Sequence, residues 1–125
     1  MKFILIKTNM ECEVVEISQA NFLSECYKHI NCELIEICVP NGYGNVIRFI
    51  IDDCGKLDGQ EFNPLATLVY NRLDCIFGNV LVGRISFNEH GEQEICGLSD
   101  RHCEAMLHHL NELTAQICGS YSYDR

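Results

Sequence analysis

The chain has no tryptophan and only two prolines in 125 residues. So few prolines exclude a proline-rich linker or a polyproline recognition segment. Long apolar runs are also missing. The longest are about six residues, where a membrane-spanning helix needs about 20. The opening MKFILIKTNM places only four apolar residues between Lys2 and Lys7. A secretory signal carries an apolar region of about 7–15 residues. We therefore read the opening as a first strand and expect a cytoplasmic protein. Positive charge is the scarcest commodity: nine Lys and Arg stand against 18 Asp and Glu, a formal net charge of −9. Such a balance argues against general binding of nucleic acid or an acidic membrane, since both demand basic residues.

Cysteine, by contrast, is abundant. Its nine copies form no C-x-x-C pair, which excludes a thioredoxin-type redox motif and the common zinc knuckles. An odd count cannot pair fully, so reduced thiols acting as small buried hydrophobes are expected. None of G-x-G-x-x-G, G-x-x-x-x-G-K-[ST] or G-x-S-x-G occurs, so no motif calls for a cofactor. The histidines of the last helix, His102, His108 and His109, miss the i, i+4 spacing of a helical zinc pair. Asp52 and Asp53 are a carboxylate pair at a strand end, where Asp more often makes a turn than catalyses.

Hydrophobic periodicity divides the chain into nine elements. Strands are expected over 2–8, 11–17, 32–39, 45–52, 79–87 and 93–98. Ser18 is placed to cap a helix over 19–30, with Ile17 and Phe22 as its hydrophobic staple. Asn41-Gly42 in NGYG is hairpin chemistry. Asn63-Pro64 opens a short helix over 65–72. Ser99 caps a helix over 100–117, whose stripe runs through Cys103, Met106, Leu107, Leu110, Leu113, Thr114 and Ile117. The order is ββα-ββ-α-ββα. Tight connections imply a mainly antiparallel sheet, and helices laid on one face of it give a two-layer α+β domain over 1–118. The segment 119–125 is expected to be a flexible tail.

Two constellations stand out. Glu11, Glu13, Glu16, Glu33 and Glu36 fall on or beside strands two and three, where they either solvate the sheet or form an acidic stripe that imitates nucleic acid. In the middle third the few cations gather in sequence: Arg48, Lys56, Arg72 and Arg84. Arginine forks and a lysine there suit phosphate oxygens. Tyr43, Phe62, Tyr70 and Phe77 share the region and offer faces for a base. Asp58 and Asn63 offer polar contacts, and the helix start at Pro64 offers free N–H groups.

The stretch IIDDCGKLDGQEFNPLA, followed by DCIFGNVLVGRISF and GLSDRHCEAM, resembles a family of small proteins of phages and mobile elements whose function is unknown. Gly55, Lys56, Leu57, Gly59, Asn63, Ala66, Gly78 and Gly83 match its pattern. Asp58 stands where the family commonly has Asn, and Pro64 where it commonly has Arg. The resemblance implies a phage context. It suggests an anti-defence protein that sequesters a nucleotide-derived immune signal, of the cyclic nucleotide or cyclic ADP-ribose type, without cleaving it. Tyr43, Arg48, Lys56, Asp58, Phe62, Asn63, Tyr70, Arg72 and Arg84 would bind that ligand, and a homodimer or larger homo-oligomer would form the site. The alternatives are an acidic protein–protein inhibitor or DNA mimic acting on a host enzyme, and a small metal-dependent hydrolase using Asp52, Asp53 and His102.

Overall fold

A computed structural model describes the backbone of residues 1–123 and the side chains of residues 1–119. The elements follow the expected order: β1 (Lys2–Ile6), β2 (Cys12–Glu16), α1 (Phe22–Ile30), β3 (Ile35–Cys38), β4 (Ile47–Asp52), α2 (Pro64–Tyr70), β5 (Val80–Phe87), β6 (Gln93–Cys96) and α3 (Asp100–Tyr123). All strand pairs are antiparallel and build a six-stranded sheet, ordered β2-β1-β5-β4-β3. β1 and β6 share one side of β5 end to end: β1 pairs with Val80–Val82 and β6 with Arg84–Phe87.

The helices do not lie on one face. α1 covers one side, over Phe3, Leu5, Ile50 and Leu81; α2 and α3 cover the other, over Ile4, Ile6, Phe49, Val80 and Val82. The two-layer expectation is therefore corrected to three layers. The reason lies in the strands: β1, β4 and β5 are apolar at odd and even positions alike, and a sheet apolar on both faces must be covered on both. Packing is close at the centre. A Cβ on Gly83 would meet the Phe3 ring at 2.4 Å, so only glycine lets that ring lie on β5.

Element ends shift where local bonds compete with the ladder. Ser18 Oγ accepts from the Asn21 N–H at 3.1 Å, and Glu25 accepts from the Ser18 N–H. Ser18 thus caps a turn over 19–21, and α1 starts at Phe22. Asn31 is left-handed and both it and Cys32 return their N–H groups to Tyr27 O. The chain is still closing α1 there, so β3 begins at Ile35 rather than 32. Asn71, also left-handed, ends α2 at Tyr70. β3 and β4 are joined by a longer loop than a two-residue hairpin, because Tyr43 reaches across to α3 and bonds His109 Nε2 at 2.8 Å. Ser99 caps α3 as expected, receiving the His102 N–H. That helix runs past 117 to Tyr123, so residues 119–123 of the expected tail are helical, while 124 and 125 lie outside the described residues. No described helix is long and apolar enough to cross a membrane.

Candidate functional site

The segment between β4 and α2, residues 53–62, is fastened at three points. Gln60 Nε2 donates to Ile30 O (3.2 Å), Asn31 O (3.0 Å) and Asp52 Oδ2 (3.1 Å), tying the segment to the end of α1 and of β4. Gly55 lies against Phe77: a Cβ there would sit 2.8 Å from the Phe77 carbonyl oxygen. Asn63 closes the segment. Its Nδ2 donates to Ile6 O (3.1 Å) and Gly78 O (2.9 Å), and its Oδ1 accepts from Ala66 N (3.0 Å) as the cap of α2. One buried amide thereby joins β1, the start of β5 and a helix, and leaves no polar atom of its own unpaired.

This geometry removes Asn63 from the expected ligand contacts: it is fully buried and its side chain is saturated. The helix start at Pro64 is closed with it. Leu65 and Ala66 are fully buried, and the Ala66 N–H is spent on Asn63.

The expected basic cluster also disperses. Arg48 and Arg84 sit near the start of β4, where Ile47 pairs with Arg84 and Arg48 with Gly83. Paired residues share a face, so Arg84 points to the α3 side and Arg48 to the α1 side. Arg48 donates to Asn45 O and Ile47 O, and Arg84 to Gly97 O. Lys56 lies beyond the other end of β4, five strand steps or about 16 Å away along the sheet. The aromatics divide as well. Tyr43 packs against α3, Tyr70 stacks on Phe49 at 6.2 Å in the core, and Phe62 makes an edge contact with Phe77 at 5.8 Å. Of the nine residues expected to bind a ligand, Lys56, Asp58 and Phe62 remain at the 53–62 end, while Arg72 is drawn to Val39 O, beyond Cys38 and toward the start of β4.

At that end a groove of about 270 Å³ opens on the α2 side of the sheet. Its acidic wall is Glu36, Asp52, Asp53 and Asp74; its apolar wall includes Ile51, Leu57, Ile76 and Phe77. Lys56 Nζ is 2.7 Å from Asp74 Oδ1 and 5.9 Å from the Phe77 ring centre. The hydrogen bond to Asp74 raises the Lys56 pKa, and the same bond lowers that of Asp74. Arg72 Nε donates to Val39 O at 2.6 Å. On the α1 side of the same end, Asp58 shares a hydrogen bond with the buried Asp52 carboxyl. That bond, followed by desolvation and the charges of Asp52 and Glu33, raises its pKa. Four acidic residues, Glu36, Asp52, Asp53 and Asp74, thus line the groove around one cation, Lys56, that already has a partner, while Glu33 and Asp58 line a neighbouring hollow on the α1 side.

The acidic stripe expected from Glu11 to Glu36 is split. Glu13 and Glu16 lie on β2 and Glu36 on β3. These are opposite edges of the sheet, four strand spacings or about 19 Å apart. Glu33 and Glu36 join the groove end instead. Among the described residues no three or more His, Cys, Asp or Glu side chains converge to hold a metal ion. His102 lines a separate groove beside Tyr43 and Ile47, near the start of β4, and so does not meet Asp52 and Asp53 at its far end. Burial pushes the thiols of Cys12, Cys32 and Cys38 up to about 11 and that of Cys26 up to about 12. They stay protonated at neutral pH and are poor nucleophiles.

Fold and site together define a three-layer α+β domain with one strongly acidic end, built on a six-stranded antiparallel sheet. A family model described as a domain of unknown function (DUF3846) matches residues 1–111, and the chain belongs to that family. No curated protein and no solved structure matches the chain.

Two outcomes test this geometry. Asn63→Ala removes a helix cap and leaves two buried carbonyls without a donor, and is expected to cost about 2–4 kcal/mol in urea unfolding. Asn63→Asp keeps the capping oxygen but not the donors, so it should not restore stability; full recovery would contradict the hub. The folded protein holds the Asp58 proton more tightly than the unfolded chain does. That carboxyl therefore contributes stability on the acid side and loses it as pH rises through its raised pKa. Asp58→Asn, which keeps a donor toward Asp52, should raise the urea midpoint at pH 7, and its advantage over wild type should shrink on acidification.

Proposed function

We propose that this protein is a non-catalytic inhibitor that binds a basic surface of another protein through the acidic end of its sheet. The observation that carries this reading is the four acidic residues lining the groove, Glu36, Asp52, Asp53 and Asp74, set against Lys56, the one cation of that lining, which is already bonded to Asp74. A phosphate entering there would meet more carboxylate than ammonium. A cluster of lysine or arginine side chains would meet complementary charge, which speeds association and selects partners. Enzymes that act on nucleic acid carry such basic surfaces because they neutralise phosphates. A host restriction or defence enzyme is therefore the partner class that agrees with the phage context implied by the sequence resemblance. The division of the glutamates between two edges favours one compact acidic contact over an extended mimic of duplex DNA.

Sequestration of a nucleotide-derived signal is the second reading. One feature favours it: the Lys56 ammonium stands over Phe77 at the mouth of the groove, with Phe62 beside that ring. A cyclic nucleotide or cyclic ADP-ribose would stack there, and a homo-oligomer would supply the further cations that one chain lacks.

Phage plating on bacteria that carry defined defence systems and express each variant separates the two. With Glu36→Lys and Asp53→Lys combined, protection of the phage should fall about tenfold or more, a loss equivalent to about 1.4 kcal/mol of binding. Lys56→Ala and the remote Glu13→Lys should leave it intact. Loss with Lys56→Ala alone, together with calorimetric binding of a cyclic nucleotide, would transfer the conclusion to the second reading.

A further inference from the structure

β3 is an edge strand, and its outer side is open over a short, defined length. Asp53 N–H donates to Leu34 O, so Leu34 turns its backbone groups inward to β4. Alternation then turns Glu36 and Cys38 inward as well, and Ile35 and Ile37 outward. The opposite side of β4 agrees: Ile85 N–H donates to Val46 O, so even positions of β4 face β5 and odd positions face β3. Beyond Ile37 the next outward carbonyl, that of Val39, is occupied by Arg72 at 2.6 Å. The open edge therefore presents the N–H and C=O groups of Ile35 and Ile37.

Side chains on the two faces of this edge differ in character. Ile37 is 43% exposed on the α1 face, beside Ile35. Glu36 lies between them on the other face, paired with Ile51, and forms the outer wall of the acidic groove with Asp53 and Asp74 behind it. A strand laid along this edge would place residues opposite Ile35 and Ile37 against apolar surface. The residue opposite Glu36 would stand next to the groove.

We propose that an extended segment of a partner protein, with an apolar–basic–apolar sequence, adds to the sheet along β3. Its backbone bonds Ile35 and Ile37, its lysine or arginine enters between Glu36 and the groove, and its two apolar side chains cover Ile37 on the α1 face. Strand addition supplies affinity from the main chain and specificity from alternate side chains. Charge complementarity sets the middle residue, because a like charge facing Glu36 would repel. A second copy of this chain is the poorer occupant: with Ile35 bonded to Ile37 of the copy, Glu36 would face its own equivalent. This proposal rests on the acidic binding reading above and specifies its contact.

The test is ¹⁵N NMR titration of the full chain with a short capped peptide of alternating valine and lysine. Three controls accompany it: the same peptide with glutamate for lysine, one N-methylated at its valines, and the protein variant Ile37→Pro. Proline is tolerated where an edge N–H faces outward, and Glu36→Lys serves should Ile37→Pro unfold. Saturable shifts of the Ile35 and Ile37 amides are expected, with binding at least about tenfold weaker with either control peptide or either variant, read at Ile35 alone in Ile37→Pro, which has no N–H at position 37. If binding is lost in Glu36→Lys but those two amides never shift, the strand contact is wrong and the acidic reading stands. Shifts at Cys12 and Val14 on the opposite edge would also overturn it. Absence of any binding would overturn both, and concentration-dependent dimerisation through β3 without peptide would assign the edge to a second copy.

Discussion

The arrangement of this molecule hangs on the buried side chain of Asn63. It satisfies the carbonyls of Ile6 and Gly78 and caps the helix that begins at Pro64. Its backbone N–H reaches Ile76 O. Buried carbonyls without donors are costly, so this amide determines where the chain leaving β4 must return to the core. Everything between Asp52 and Asn63 is then a closed excursion of fixed ends. Gln60 binds it down toward α1 and Gly55 toward Phe77, and the carboxylates of the excursion meet those of β3 and of the 72–77 loop. The acidic groove is a consequence of that closure.

Most of the element order was legible in the sequence, because apolar periodicity and capping residues are local signals. Asn63-Pro64 was readable as a helix start and Ser99 as a cap, and both hold. The layering was less legible. β1, β4 and β5 carry apolar residues at odd and even positions alike, which already demanded cover on both faces, yet the tight connections suggested one. Sequence proximity also misled for the cations. Arg48 and Arg84 are near Lys56 in the chain, but strand alternation turns them to opposite faces, and the length of β4 separates both from Lys56. Gln60 carried no signal at all. Its three acceptors come from the end of α1 and from β4, and only the folded chain brings those together.

The matching residues of the sequence pattern take on a mainly architectural meaning. Gly55 permits the segment to touch Phe77, Gly83 permits Phe3 to cross β5, Ala66 is fully buried on the core side of α2, and Asn63 is the hub. Lys56 differs: exposed, paired with Asp74 and lying over Phe77, it shapes the mouth of the groove. An exposed pair of this kind contributes little to stability. Its effect is to neutralise one carboxylate of the wall while leaving Glu36 and Asp53 for a partner.

The central claim is that the groove end receives positive charge and not phosphate. The most direct measurement is a pair of ¹⁵N NMR titrations on one sample, with argininamide and with inorganic pyrophosphate. Shifts confined to residues around Glu36, Asp53–Lys56 and Asp74–Phe77 with argininamide, and none there with pyrophosphate, are the predicted result. Saturable shifts at Lys56 and Phe77 with pyrophosphate, and none with argininamide, would contradict it.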